Sequence, residues 1–364
     1  MYVIKKVYKD LITNSFFLYV LSRYLKLPIK QNFNKIINYV KKIPNFYSIK
    51  KKLRKRNEKI IFNSKIYPKI GIIFNLNSHL DNKWIVGLTK YLINTIIREL
   101  TCILIENQHD YNHYKDYLDV IIALEPGFCG PFIKYEKGKP KLKYVITYDP
   151  WVDTNVKQRY FLEASFSFIL VGYYNPALFH FKNISKEKII HFPWAIPDNF
   201  INKKQIKTPT QDYIMVFGES RTNVYETRNW CKKFDFVKSH SRSGAYKVVT
   251  GLDYFNWLAE FNAIIAATSL KPKFRHTVAK YFEIPASGAL LFAQEAEDLA
   301  LLGFKDNENC IIFNKENFKQ KVYDYLENKV NYVKFMENGR KLILEKHTLS
   351  KRINFLKEHI NKNL

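Results

Sequence analysis

From residue 70 onward, short runs of consecutive apolar residues alternate with stretches of mixed polarity in which apolar positions recur every three to four residues. The runs at 70–74, 102–105, 118–124, 144–148 and 168–171 read as strands, and a second series lies at 213–218, 247–250, 263–267, 289–293 and 310–313. A strand that is apolar at every position is one covered on both faces, which is the condition of a parallel sheet flanked by helices. The intervening segments, such as 84–99, carry a helical period, and helical pattern dominates from residue 315 to the end. The fold class expected is α/β, with two doubly wound, Rossmann-like domains.

The pattern also divides the chain. Residues 1–66 are helical in period, with Ile4, Val7, Leu11 and Ile12 on one face. A first Rossmann-like domain is expected over 67–205, closing with Pro193, Pro197 and Phe200 after a strand near 189. The polar stretch 203–212, with Pro209, reads as the linker. A second Rossmann-like domain then spans 206–345, and a carboxy-terminal helix 346–364.

Composition sharpens this picture at three points. The 364 residues, 47% hydrophobic and 16% aromatic, suffice for two packed cores. Cys102, Cys129, Cys231 and Cys310 are scattered with no C-x-x-C spacing, which argues against a zinc site or a disulfide framework and fits a reducing cytosol. The apolar-rich stretch 11–27 is interrupted by Thr13, Asn14, Ser15, Ser22 and Arg23 and is too short to span a bilayer. Charge is the third point. Residues 1–66 hold 17 Lys and Arg against two acids, Asp10 and Glu58, a net +15 of the chain's +26. The cluster Lys50, Lys51, Lys52, Arg54, Lys55 and Arg56 is its densest part. Such an excess anticipates a polyanionic neighbour: an anionic membrane face, a phosphorylated acceptor or nucleic acid. Phe16, Phe17, Tyr19 and Tyr24 beside it fit a helix lying in a membrane interface.

Ligands of open α/β sheets sit beyond the carboxyl ends of the strands. In the second domain these loops offer Gly218, Ser220 and Arg221, then Ser269 and Lys271. Next comes a segment read as a helix carrying Arg275, His276, Lys280 and Glu283, with Pro285 and Gly288 ending it. Ser287 and Gly288 are small enough for close backbone approach. Lys280 and Glu283, three residues apart, share a helical face. Arg221, Lys271 and Lys280 suit a leaving diphosphate, since charge-assisted contacts are the strong ones. In the first domain Asp149, Asp153 and His79 are the candidates to accept a proton from an acceptor hydroxyl, and Trp151 is a candidate to stack on a sugar ring. No D-x-D, G-x-x-x-x-G-K-[ST] or G-x-G-x-x-G occurs, which disfavours metal-dependent GT-A transferases, P-loop enzymes and dehydrogenases.

The segment Phe282-Glu283-x-x-Ala286-x-Gly288 resembles the donor-binding segment of group 1 glycosyltransferases of the GT-B fold, particularly the spore-maturation-protein-like branch. The resemblance covers roughly residues 210 to 345 and the earlier half only loosely. It implies that Glu283 binds the ribose of a nucleotide sugar; Lys280 is similar to a lysine that meets the diphosphate in fucosyltransferase-type GT-B enzymes. The family's earlier acid, eight residues before Glu283, is absent: Arg275 stands there, which leaves the sugar-side contacts and the stereochemical outcome open.

The expected function is therefore metal-independent sugar transfer from a nucleotide sugar to a bacterial surface glycan or glycolipid, by a cytoplasmic protein docked at the inner membrane face. Two alternatives stand beside it: sugar transfer to nucleic acid, as in phage DNA base glucosylation, and a non-catalytic basic binding protein on a GT-B frame. The sugar, the nucleotide, the acceptor and the oligomeric state are not encoded in any of these features.

Overall fold

The computed structural model describes residues 46–76, 87–127, 129–218, 223–240 and 251–364. The expectations placed on residues 1–45, on His79, Ser220 and Arg221, and on a strand at 247–250 lie outside the described residues. The strands are β1 (Ile70–Ile73), β2 (Ile103–Ile105), β3 (Val120–Leu124), β4 (Leu142–Thr147), β5 (Phe168–Val171), β6 (Ile189–His191), β7 (Ile214–Phe217), β8 (Val237–His240), β9 (Ala263–Ala266), β10 (Leu290–Gln294) and β11 (Ile311–Phe313). The α-helices are α1 (Phe46–Ile61), α2 (Gly87–Glu99), α3 (Gln108–Tyr114), α4 (Thr154–Glu163), α5 (Tyr174–His180), α6 (Glu226–Cys231), α7 (Leu252–Leu258), α8 (Lys280–Ser287), α9 (Asp298–Leu301), α10 (Phe318–Glu327), α11 (Val333–Lys346) and α12 (Leu349–Asn363). They build two α/β sheets, β1 to β6 and β7 to β11. By its contacts the chain divides into two compact units. One joins the described residues up to Leu76 with Thr101–Lys141, the other those of Asn77–Leu100 with Leu142–Leu364.

In the first unit β1 lies between β2 and β3, parallel to both, with Ile72 opposite Leu104 on one side and Ile122 on the other. Ile72, Ile73, Ile103, Val120 and Ile121 are fully buried, as β-branched residues on a doubly covered sheet should be. The outer side of β2 is closed by α1. The Asn57 amide donates to the Leu104 carbonyl and accepts from the Leu104 N–H, both at 2.9 Å. Arg56 Nη1 donates to the Cys102 carbonyl at 2.7 Å. A side-chain amide thus takes the place of a neighbouring strand on an edge that would otherwise pair with another chain. Asn57 and Ile60 are buried on this face, while Lys51, Lys52, Arg54, Lys55 and Lys59 are exposed.

The second unit contains β4-β5-β6, parallel and in register through Ile146, Leu170 and Ile190. It also contains the complete second sheet, in the order β11-β10-β9-β7-β8. Its core gathers Val216, Ile265, Phe292, Phe313, Phe318 and Tyr325, all but excluded from solvent. The terminal helix α12 begins at an N-cap in which Thr348 Oγ1 accepts from Lys351 N, and it packs on β4 and β5. Tyr144 Oη bonds His359 Nδ1 at 2.9 Å, and the Phe168 ring stands edge-on to His359. No helix among the described residues is long and apolar enough to cross a membrane.

Two local expectations need correction. Arg275 and His276 are not helical: a 3₁₀ turn, Pro272–Phe274, and an extended stretch precede α8, which starts only at Lys280. The stretch is held in this extended form with His276 N tied to Thr268 Oγ1 at 3.4 Å. Pro285 does not end the helix either, and lies inside it. Only Gly288, at φ +91°, terminates α8. Strand β8 was not anticipated, because Lys238, Ser239 and His240 lack the apolar pattern of a covered strand.

Candidate functional site

The strand order of the second sheet reverses between β7 and β9, so the loops leaving these two strands diverge and leave a crevice at their carboxyl ends. Gly218 leaves β7 with φ +102°, a conformation that strains any residue with a Cβ. A Cβ at this position would lie 2.9 Å from Arg228 Nη1 and 3.8 Å from Lys280 Nζ. The glycine therefore keeps open a point on which two cations converge: Arg228 from α6 and Lys280 from the first turn of α8. Lys232 donates to the Gly218 carbonyl at 3.0 Å and fixes the loop from behind. The Arg228 guanidinium lies over the Tyr225 ring at 4.1 Å. It is buried, and burial lowers its pKa from the ordinary arginine value.

One turn along α8, Glu283 is buried and accepts from Tyr254 Oη at 3.1 Å. Lys280 and Glu283 thus do share the face that the spacing indicated. Ser269 and Lys271, after β9, are held together by Glu226 of α6. Ser269 Oγ donates to Glu226 Oε1 at 3.0 Å, and Lys271 Nζ stands 3.9 Å from Oε2. Buried Gln294, at the end of β10, ties the same loop by accepting from Thr268 N and donating to the Ser269 carbonyl. Arg275 forms a two-point pair with Glu297. Ser287 and Gly288 lie elsewhere: they end α8 and lead into the amino end of β10. Ser287 Oγ donates to the Ile284 carbonyl at 2.7 Å, and Asn202 Nδ2 donates to the Ser287 carbonyl at 2.8 Å. These two residues are not part of the cluster around Gly218.

The loops after β4 and β5 of the same unit bring a second group together. Asp149 is exposed at the end of β4, with its carbonyl accepting from Lys157 Nζ at 2.8 Å. Burial raises the pKa of Tyr173 well above the usual phenol value, and the Asp149 charge raises it further. Tyr225 is raised by burial, and Asp149 adds to this against the opposing Arg228. The carboxylate therefore stands near both phenols. Trp151 stacks on Tyr173 at 5.7 Å, and the His276 ring packs against both, 4.6 Å from Trp151 and 4.5 Å from Tyr173. Trp151 is thus placed as a packing residue within an aromatic group. His276 is fully buried and its Nδ1 bonds the Phe274 carbonyl at 2.6 Å, while burial pushes its pKa down to about 3. That fixes a neutral ring with the proton on Nδ1. Asp153 is exposed at φ +50° just before α4. Asp298 accepts from Tyr174 N and Asn175 N at 3.1 and 3.3 Å, which anchors α5 beside this group.

Sequence reasoning missed Arg228, Tyr225, Glu226 and Tyr254. The six-residue helix α6 has no periodicity that marks Arg228 as buried. The one available signal was its location, on the first helix after the first strand of the domain.

Residues 204–358 match the family model described as glycosyl transferase-like. No curated protein matches the chain by sequence. Among solved structures, HepE from Anabaena in complex with UDP and glucose is similar at 8% identity and a TM-score of 0.50, covering 81% of this chain and 99% of HepE. A glycosyltransferase from Rickettsia africae ESF-5 aligns at 11% identity and a TM-score of 0.49, over 81% of this chain and 99% of its own. TarM aligns at 15% identity and a TM-score of 0.45 over 66% of this chain, which spans about half of TarM, 54%. The match to that family model is confined to residues 204–358, and the chain has the GT-B fold.

Proposed function

We propose that the chain transfers a sugar from a nucleotide-sugar donor to a glycan or glycolipid acceptor, with the donor diphosphate on Gly218, Arg228 and Lys280. The observation that carries this reading is the convergence of two cations on a glycine at the switch point of the second sheet. The family of residues 204–358 supports it, as does the UDP held by HepE, a protein of the same fold. In the reaction an acceptor hydroxyl oxygen bonds to the donor's anomeric carbon as the bond from that carbon to the phosphate oxygen breaks. The nucleoside diphosphate leaves with its electron pair. Arg228 and Lys280 stabilise the charge that develops on it, a role that in other transferases falls to a divalent ion. Glu283, fixed by Tyr254, takes the ribose hydroxyls.

Asp149 is the residue we assign to receive the acceptor's proton, because of the two described candidates, Asp149 and Asp153, it is the one whose charge acts on Tyr225, the phenol beside Arg228. A carboxylate in hydrogen-bond reach of the attacking hydroxyl contributes about 10²–10⁴-fold to rate. Transfer is accordingly metal-independent. Turnover of a nucleotide sugar, followed as release of nucleoside diphosphate, is expected to persist in EDTA and to fall at least about 100-fold in Asp149→Asn with nucleotide affinity retained. A strict requirement for magnesium or manganese, or full activity of Asp149→Asn, contradicts the assignment. The exposed lysines and arginines of α1 suit reversible docking on an anionic membrane, at about 1 kcal/mol for each engaged cation.

A further inference from the structure

The first unit gathers exposed aromatic rings at one end of its strands. Phe62 and Tyr67 lie on the stretch 62–69 that joins α1 to β1, and Tyr117 ends a 3₁₀ turn, Lys115–Tyr117, that leads into β3. β1 and β3 are parallel neighbours, so both connections reach the sheet at the amino ends of these strands. They are tied to each other there: Lys69 N donates to Asp119 Oδ2 at 2.7 Å, and Asp119 N to the Lys69 carbonyl at 2.9 Å. The Phe62 ring meets Tyr117 edge-on at 6.5 Å. Phe62 is 77% exposed, Tyr67 75% and Tyr117 50%, the first two being the most exposed large hydrophobic side chains among the described residues. Single exposed apolar side chains are ordinary, whereas a group of them marks an interaction surface. Ligands of open α/β sheets bind at the opposite, carboxyl ends of the strands, which sets this group apart from a substrate crevice.

α1 supplies charge beside the rings. Lys51, Lys55 and Lys59 are exposed and four residues apart, hence on one side of the helix. Phe62 continues that side, because its N–H still bonds the Glu58 carbonyl at 3.0 Å. Lys52 and Lys65 are exposed as well, and Glu58 is the one acid of the helix. Asp116, next to Tyr117, is neutralised within the unit by Lys139 at 2.8 Å. A row of cations that ends in aromatic rings suits the boundary between anionic headgroups and acyl chains. Phe62 and Tyr117 stand at an interplanar angle of 69°, so they offer no parallel faces on which successive nucleobases could stack. We propose that Phe62, Tyr67 and Tyr117 insert into the interfacial layer of an anionic bilayer while Lys51, Lys55 and Lys59 lie on its headgroups. This insertion rests on the docking of α1 proposed above and adds an apolar component that cations alone lack. The paired hydrogen bonds between Asn57 and Leu104 fix α1 to β2, so the row and the rings are presented on a rigid support.

Fluorescence of Phe62→Trp in the full chain tests it, read as the difference from the wild-type spectrum. The probes are vesicles of phosphatidylcholine, vesicles of phosphatidylcholine and phosphatidylglycerol in equal parts, and heparin as a polyanion without acyl chains. With the anionic vesicles alone, emission is expected to move to shorter wavelength and to be quenched by brominated acyl chains. In vesicle sedimentation Phe62→Ser/Tyr67→Ser/Tyr117→Ser is expected to bind the anionic vesicles at least about tenfold more weakly than the wild type, since the burial of aromatic area is lost. Lys51→Glu/Lys55→Glu/Lys59→Glu is expected to abolish binding. A thermal midpoint close to that of the wild type shows that each variant is folded. Sedimentation with no emission shift and no quenching overturns the insertion and leaves the electrostatic docking standing. Binding that the serine substitutions do not weaken overturns the insertion as well. Failure of the wild-type chain to sediment with anionic vesicles overturns both. An equal shift with heparin, or equal binding to the neutral vesicles, overturns the anionic bilayer as the partner.

Discussion

The residue at the centre of the proposed donor site is the smallest one. Gly218 adopts a left-handed φ of +102° and leaves space where Arg228 and Lys280 meet. Gly218→Ala adds a backbone cost of about 1–2 kcal/mol for the left-handed conformation and presses a methyl group against the guanidinium. Denaturant unfolding is expected to register the first effect, and a loss of nucleotide affinity the second; unaltered stability and affinity together would contradict this view of the loop. Glu283 makes a different contribution. It is buried with Tyr254 as a donor, so Glu283→Gln should keep the fold while weakening nucleotide binding by about 1–3 kcal/mol, the cost of mismatching a buried hydrogen-bonded partner. Calorimetric titration of nucleoside diphosphates checks this, and equal affinity would remove Glu283 from the ribose site.

At the scale of elements, α1 shows how one polar side chain completes a sheet. Asn57 takes both hydrogen bonds of Leu104 on the open side of β2. Asn57→Ala leaves the half-buried N–H and carbonyl of Leu104 without these partners, and a loss of about 1–3 kcal/mol is expected in the denaturation of the full chain. A change within about 0.5 kcal/mol, as at an ordinary surface position, would argue that α1 does not close this edge. The strands themselves were legible. Ile70–Ile73, Val120–Leu124 and Ala263–Ala266 are covered on both faces, and that condition writes itself as uninterrupted apolar residues. β8, the last strand in its sheet's order, was illegible because Lys238 and Ser239 are exposed and carry no such record. The site was legible where its residues share one helix, as Lys280 and Glu283 do on α8. It was illegible where tertiary packing alone decides: Arg228 is buried by Tyr225 and its neighbours, and Ser287 is drawn to the far end of α8, eight residues being enough to separate the two ends by about 12 Å.

Across the whole molecule, buried neutral histidines couple stability to pH. Burial pushes His276 down to about 3, and His191 and His347 down to about 4. The unfolded chain takes up these protons near pH 6.5, which the folded chain resists until pH 3–4. Folding stability is therefore fully present above about pH 7 and falls as pH drops below about 6.5, by up to about 1.4 kcal/mol per pH unit for each histidine. The thermal midpoint should accordingly be lower at pH 5 than at pH 7.5, and His347→Gln should flatten that dependence; a midpoint that holds steady between the two would contradict it. The central claim is that the second sheet holds a donor diphosphate on two cations without a metal. Its most direct measurement is calorimetric titration of UDP, GDP, ADP and dTDP in EDTA into the wild-type chain, Arg228→Ala and Lys280→Ala. The account predicts that at least one of these nucleotides binds the wild type, and that each substitution weakens its binding at least about tenfold, in keeping with about 1.5–3 kcal/mol for a hydrogen bond to a charged group. Binding that appears only when magnesium is added, or that is the same in all three proteins, would contradict it.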